Sequence, residues 1–463
     1  MRERFDLASE AEREGRIEEL DDLKFLSGDQ WPAEIKMARE LERRPCSIIN
    51  RLPQFRRQVT NDQRQNRPSI KVSPVDDKAD IETAKIYQGL IRHIEYNSNA
   101  DVAYDTAFEG AAGPGLGYFR VITDYCDPAS FDQEILIKRI RNRFAVYMDP
   151  NAQEPDASDA NWGFVHEDMS PDDYRAEFGE SKLGSMADWS SVGDTAPEWI
   201  SDKHVRVAEY FYKTFKKVTL AQMSDGTILD KSKIPPQGFV GEDGQPVTIE
   251  REREATLPAI KWCKTNGIEI LEETDWLGKW IPIVPVLGDE LDIDGKRILS
   301  GIIRHAKDPQ RMYNYWNSAA VEMTALAPKA PYVGAAGQFA GFEDMWKSAN
   351  TKNHAYLEYN PKGLNGQAMP PPQRQTYEPA IQAITQQMMQ SADDMKATTG
   401  IYDASLGARS NENSGVAIQR RNLQAQTNNF HYIDNLSRAM RHLGRILVDL
   451  IPHVYDTPRA VRT

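Results

Sequence analysis

The sequence predicts a mixed α+β, multidomain chain, and three observations carry that prediction. Apolar residues recur at helical spacing over much of residues 1–112. Runs rich in β-branched and aromatic residues, broken by turn signals, dominate residues 118–306. Helical spacing then returns beyond Asp308, interrupted by a block rich in proline and glycine. At 463 residues the chain has room for roughly three domain-sized units.

Residues 1–27 read as a heavily charged helix. Asn50 caps the next clear one: Pro53 is tolerated in the first turn, and Pro68 forces Arg67 out of helical geometry, so the helix ends near Gln65. Leu52, Phe55 and Val59 form its apolar stripe, while Arg57, Asn61 and Arg64 make a solvated face. A helix over residues 76–96 takes its apolar face from Ile81, Ala84, Leu90, Ile91 and Ile94, and another covers residues 100–112. YFRVITDY and ILIKRI, either side of DPASFD, read as an antiparallel hairpin. In SPDDYRAEFG, Ser170 is the N-cap, Pro171 sits at N1, Asp172 and Asp173 favour the positive helix end, and Gly179 follows the finish. HVRVAEYFYKT, VTLAQM, ATLPAIKW and IPIVPVLG are short extended runs within residues 204–306, with KIPPQGFVGEDGQP as a flexible loop.

Asp308 and Pro309 read as the N-cap and N1 of a helix whose apolar face is Met312, Trp316, Ala319, Ala320, Met323 and Ala327, ended by Pro328. Residues 328–376 hold many breakers, a short helical FEDMWKSAN and a strand-like HAYLEYN, with too few apolar residues for a core of their own. A second helix opens at Pro379 and carries Ile381, Ile384, Met388 and Met395 up to Gly400. Beyond the loop IYDASLGARSNENSG, a long helical pattern runs from Val416 to about Val454, with Leu423, Phe430, Ile433, Leu436, Met440, Leu443, Leu447 and Leu450 at its apolar positions. Its opening, AIQRRNLQAQTNN, is polar on every side and needs neighbouring subunits or a water-filled space around it.

A net charge of −13 and a pI near 5.3 weigh against a protein that grips nucleic acid by neutralising many phosphates, and are compatible with an acidic lumen. No stretch nears the roughly 20 apolar residues that cross a bilayer. MRERFDLASEAEREGR is too charged for a signal peptide, so cytoplasmic synthesis without a membrane partner is expected. Cys46, Cys126 and Cys263 stand apart and read as reduced, buried thiols.

No cofactor, metal or catalysis is expected, because P-loop, HExxH and GxSxG motifs and metal-spaced Cys/His clusters are missing from the sequence. Gly113, Gly115 and Gly117 lie between a helix and a strand, the reverse of a dinucleotide site, and read as a turn. Glu290, Asp292, Asp294 and Gly295 have calcium-loop spacing, but Gly301 stands at the twelfth position where a bidentate Glu is required, so an acidic β-turn is expected. Asp149, Asp156, Asp159, Glu167 and Asp168 offer carboxylates for hydrolysis or metal-assisted cleavage, against the commoner role of loop acids as turn formers and caps. His166 beside Glu167 reads as a surface pair.

Five blocks recur as a series: FLSGDQW from Phe25, NRLPQFRRQVTNDQRQNRPSIKVSP from Asn50, VYMDPNAQEPDASDANW from Val146, IPIVPVLG from Ile281 and GIIRHAKDPQRMYNYWNSAAVE from Gly301. Together they resemble the portal proteins, or head-to-tail connectors, of short-tailed double-stranded-DNA bacteriophages over roughly residues 15–455. The resemblance implies a homo-oligomeric ring, usually a dodecamer, at the unique capsid vertex of the virion, assembled in the host cytoplasm. Double-stranded DNA is packaged and ejected through such a ring, with the terminase motor, a tail adaptor, capsid and scaffolding proteins as partners.

The same resemblance implies an N-terminal helical part and wing over 1–307, stem helices over 308–327 and 377–399, a clip over 328–376 and a tunnel loop over 400–415. Residues 416–463 then form the long helix and the start of a crown that is small or truncated where the chain stops at Thr463. Partner docking is expected at Phe342, Trp346, Lys347 and Tyr356 of the clip, and passing DNA at Arg409, Ser410, Asn411, Glu412 and Asn413 of the tunnel loop. Arg409 approaches phosphates without reading bases, or pairs with an acid of a neighbouring subunit. Two other readings rest on residues alone: a carboxylate-dependent hydrolase or nuclease built between Asp149 and Asp168, and a nucleic-acid-binding protein using Arg51 to Arg67.

Overall fold

The computed structural model describes residues 1–74, 81–179, 204–224, 227–234, 239–240, 246–326, 332–349, 352, 354–362, 366–374, 381–402 and 429–455. Its helices are α1 (Arg2–Ser27), α2 (Ala33–Leu41), α3 (Leu52–Gln65), α4 (Ile81–Asn97), α5 (Ala100–Ala112), α6 (Pro171–Phe178), α7 (Ile302–Leu326), α8 (Glu343–Ser348), α9 (Ile381–Thr399) and α10 (Phe430–Val454). Its strands are β1 (Leu116–Tyr125), β2 (Gln133–Arg139), β3 (Val146–Met148), β4 (Trp162–Met169), β5 (Val205–Met223), β6 (Ile228–Asp230), β7 (Phe239–Val240), β8 (Pro246–Val247), β9 (Ile249–Thr265), β10 (Ile270–Trp276), β11 (Ile283–Leu287), β12 (Asp289–Ile293), β13 (Lys296–Ser300), β14 (Tyr332–Val333) and β15 (Gln373–Arg374). Mixed α+β is the observed class.

Two compact units divide the chain: Met1–Leu23 with Arg56–Arg304 and Glu412–Thr463, and Lys24–Phe55 with His305–Asn411. The first is layered. A sheet of order β11-β1-β2 packs against a sheet of order β10-β9-β5-β4-β3, burying Leu116, Tyr118, Val146, Val165, Phe211 and Ile283 between them. Period-2 alternation sends the intervening residues outward. Phe119 meets Tyr104 of α5, and Tyr147, Phe164 and Tyr210 meet Phe5 and Ala8 of α1. α1 therefore covers the outer face of the larger sheet, and α4, α5 and α10 cover that of the smaller one.

α1 is anchored by charge as well as by apolar contact. Arg16 is fully buried, donates to the carbonyls of Phe144 (2.9 Å) and Val146, pairs with Glu12 at 2.9 Å and lies 4.0 Å from the Tyr147 ring centroid. Every part of its guanidinium is engaged, which a buried charge requires. Glu19 pairs with Arg143 close by, and Asp22 with Arg304 at 3.0 Å.

The glycines of GPGLGYF form the expected helix-to-strand turn, and the structure adds a reason for them. A Cβ on Gly117 would stand 2.0 Å from the Ala107 carbonyl oxygen, and one on Gly301 would stand 1.9 Å from that of Gly113. Three backbone segments cross here with no room for a methyl group, and the Gly288 N–H donates to the Gly115 carbonyl at 2.8 Å. The acidic ELDIDG run is the hairpin of β12 and β13, turning at Asp294 (φ 54°) and Gly295 (φ 75°), as an Asp-Gly pair favours. The Asp292 carboxylate there accepts the Gly295 N–H at 2.9 Å.

Several expectations are corrected. HVRVAEYFYKT and VTLAQM are not separate short runs but one strand, β5, laddered along its length against β9, because the two segments keep a common register. HAYLEYN is not a strand: its backbone bonds go to isolated partners, the Glu358 carbonyl accepting the Trp346 indole N–H and the Asn360 N–H donating to the Gln338 carbonyl. His166 is buried, its ring centroid 5.9 Å from that of Tyr147, because β4 turns even-numbered residues toward α1. Cys126 is exposed and Cys46 half-buried; Cys263 alone of the three is buried, and burial pushes its thiol up to about 11.

α7, most of which belongs to the second unit, begins at Ile302, so Asp308 and Pro309 lie inside the helix and do not open it. Its buried face is also not the predicted apolar one: it holds Ile303, Ala306 and Tyr313 together with a row of polar residues. Gln310, Asn314 and Ser318, spaced i, i+4, i+8, are fully buried and accept the backbone N–H groups of Arg51 (3.1 Å), Ile49 (3.0 Å) and Ser47 (2.9 Å). Alternate amides of an extended chain and every fourth residue of a helix repeat at nearly the same distance, about 6–7 Å, so the side chains serve as a substitute strand. Met312 stays 45% exposed, and Trp316 and Met323 are half-buried.

Candidate functional site

The clip predicted at 328–376 is described over most of residues 332–374. β14 pairs with β15 and brings its two ends together. Trp346 of α8 stands edge-on to Tyr332 (5.1 Å) and Phe339 (5.0 Å), and its indole N–H donates to the Glu358 carbonyl at 2.7 Å. Gln338 is the buried centre: its side chain accepts from Ala335 N–H (2.7 Å) and donates to the Pro370 carbonyl (2.8 Å). Asn360 donates to the carbonyls of Gly337 (3.2 Å) and Ala340 (2.8 Å). Among the described residues of this segment no apolar side chain is buried, so polar ties replace a hydrophobic core.

Of the four residues predicted to dock partners, Trp346 and Phe342 are half-buried, whereas Lys347 and Tyr356 are exposed, Tyr356 by 70%. Trp346 thus braces the segment while Lys347 and Tyr356 present surface. Arg409, Ser410, Asn411, Glu412 and Asn413 lie outside the described residues.

Asp149, Asp156 and Asp159 are occupied by their own loop. Asp149 is buried and accepts from the backbone and side-chain amides of both Asn151 and Asn161, at 3.0–3.1 Å. Asp159 accepts the N–H groups of Gln153 (2.6 Å) and Glu154 (3.2 Å), and Asp156 that of Ser158 (3.1 Å). Asp168 takes a bidentate bond from buried Arg206 at 2.6 and 3.1 Å. These are turn and strand fixtures. Among the described residues no group of three or more His, Cys, Asp or Glu is placed to hold a metal ion.

The arginines in and around α3 are largely engaged too, although Arg57 is exposed and has no ion-pair partner among the described residues. Arg64 pairs with Asp105 (3.1 Å) and Glu109 (2.8 Å) of α5, and Arg67 pairs with Asp101 and Asp105. Arg51 donates to the Tyr313 hydroxyl at 2.7 Å. Guanidinium groups matched this closely to carboxylates are poorly available to phosphate.

One feature went unread in the sequence. Arg438, Arg441 and Arg445 of α10 line an open groove of about 530 Å³ together with Glu154, Pro155, Asp156 and Ser158. The signal was present in the i, i+3, i+7 spacing of arginines opposite the helix's apolar positions. Arg438 pairs with Asp434 (2.7 Å) and Arg445 loosely with Asp156 (3.8 Å).

The family described as phage P22-like portal protein matches residues 2–463, nearly the whole chain. The chain belongs to that family. A portal protein of Acyrthosiphon pisum secondary endosymbiont phage 1 is 26% identical over 487 residues, covering 99% of this chain and 66% of the relative, so the chain spans just under two thirds of that protein's length. The portal resemblance carried by the five sequence blocks is borne out. For this portal-family chain, none of the described helices is long and apolar enough to cross a membrane.

Proposed function

We propose that the chain is the subunit of a portal ring, a dodecamer at the unique capsid vertex through which double-stranded DNA is packaged and later ejected. The observation that carries this reading is the family match over residues 2–463. Two features of the chain support self-assembly. The apolar stripe of α7 remains partly exposed while its polar stripe is buried, leaving Met312, Trp316 and Met323 for a neighbouring copy. Among the described residues of the clip segment no apolar side chain is buried, so neighbouring copies supply much of its support.

In this reading residues 1–307 form the N-terminal helical part and wing, 308–327 and 377–399 the stem helices, and 328–376 the clip, where Tyr356 and Lys347 meet the terminase motor and then the tail adaptor. Capsid and scaffolding proteins surround the ring during assembly. The tunnel loop, with Arg409 and its polar neighbours, touches the moving duplex weakly and without base contacts. The negative charge of the chain, −13 per subunit, disfavours a firm grip on phosphate, which lets DNA slide. Negative-stain electron microscopy of the purified chain tests the proposal: closed rings with an axial hole are expected. A uniform field of single subunits at micromolar concentration would contradict it.

A further inference from the structure

The two outer helices of the first unit carry rows of opposite charge. On α1, Glu3, Asp6 and Glu10 are exposed at i, i+3, i+7; on α10, Arg438, Arg441 and Arg445 are exposed at the same spacing. Neither Glu3 nor Asp6 has an ion-pair partner among the described residues, Glu10 has only a loose one in Arg13 at 3.9 Å, and Arg441 has none. Each row also includes an exposed aliphatic residue, Leu7 (50%) on α1 and Val448 (38%) on α10. The inward faces of both helices are committed to the sheets beneath them, so the charged rows are the faces left for another molecule.

Position makes the match informative. α1 covers one outer layer and α10 the opposite one, with both sheets between them, so the rows cannot meet within a chain. In a ring every contact is head-to-tail: one surface of a subunit meets a different surface of the next. We infer that the arginine row of α10 is the acceptor for the acidic row of α1 of a neighbouring copy, forming one of the ring's subunit contacts. Equal spacing pairs Asp6 with Arg441 whether the helices run parallel or antiparallel. The acids at the groove rim, Glu154 and Asp156, disfavour a phosphate backbone there and suit a protein surface of mixed charge. Individually exposed pairs are weak, but three per interface repeated around a ring fix its register and make closure sensitive to salt.

This inference rests on the ring reading, and a charge-swap series separates the two. The ring-to-subunit balance is measured by analytical ultracentrifugation for the wild type, Asp6→Arg, Arg441→Glu and the double variant, with thermal unfolding as a folding control. Each single reversal is expected to shift the balance toward subunits by roughly tenfold, and the double variant to recover most of the loss. Should Arg441→Glu unfold, Arg441→Gln replaces it, with a smaller shift in the same direction expected. Single reversals that assemble like the wild type, or a double variant no better than either single, overturn the contact. So do normal Arg441→Glu rings that have lost salt-sensitive binding of a short DNA duplex, which would make the row a DNA site. A wild type that never assembles overturns the ring reading, and the contact with it.

Discussion

The side-chain oxygen of Asn314, deep in α7, accepts the backbone N–H of Ile49 at 3.0 Å, and its amide nitrogen donates to Gln30 Oε1 at 2.7 Å. The extended segment around Ile49 has no β-partner there, so α7 supplies the acceptors. Replacing Asn314 by Leu keeps the forked shape of the side chain but leaves the Ile49 N–H and the Gln30 side-chain oxygen unpaired. A loss of about 1–3 kcal/mol is expected, together with faster hydrogen exchange at the Ile49 amide. Unchanged exchange there would show that the ladder is ornamental.

Glycine positions give a prediction of opposite signs. Gly117→Ala places a methyl group against the Ala107 backbone and should destabilise by at least about 1–3 kcal/mol. Gly15→Ala and Gly89→Ala, in the middle of α1 and α4 with open space around them, should stabilise by about 0.5–1 kcal/mol. Denaturant midpoints of the three variants check both signs.

His442 is buried on the inner face of α10, edge-on to Trp280 at 5.4 Å, and burial lowers its pKa below the usual 6.5; Asp156 opposes the shift, while Arg445 and Lys213 add to it. Because the folded state holds this ring neutral, the unfolded chain takes up the proton first as pH falls. Stability is therefore lost as pH drops from about 6.5 toward the lower folded value. Thermal unfolding at pH 7.5 and 5.5 should show a larger drop for the wild type than for His442→Gln. Equal drops would assign the acid sensitivity to other groups.

The carboxylate loop separates structural from chemical roles. Asp149→Ala abandons two asparagine side chains and their backbone amides and should cost about 2 kcal/mol or more, whereas Asp156→Ala and Asp159→Ala should have modest effects. All three should leave DNA packaging by correctly assembled particles intact. Particles of normal composition that fail to package after Asp156→Ala would revive the hydrolase or nuclease reading.

Much of the first unit was legible in the sequence because its signals are local. α5 covers the residues its periodicity marks, Ser170 caps α6 by accepting the Asp173 N–H at 3.1 Å, and Asp294-Gly295 makes the β12–β13 turn. The failures were non-local. Nothing around Thr214 and Phe215 marks them as the middle of a 19-residue strand, because the pairing with β9 that holds them is set by residues far along the chain. Apolar spacing assigned α7 the wrong buried face, since a helix that serves a lone extended segment buries acceptors, and in one chain its Met312 stripe stays partly exposed. In segment 328–376, Trp346 was read as a docking residue and instead braces its own segment, and the polar centre at Gln338 was not legible, because its partners, Ala335 and Pro370, are backbone groups that any residue type supplies.

The central claim is that this chain works as a closed ring, and the most direct test is the mass of the purified, full-length protein in native solution. The account predicts a discrete species about twelve times the 52.5 kDa subunit, stable to dilution and dispersed by high salt. A single species at the subunit mass across the concentration range, with the chain folded, would contradict it.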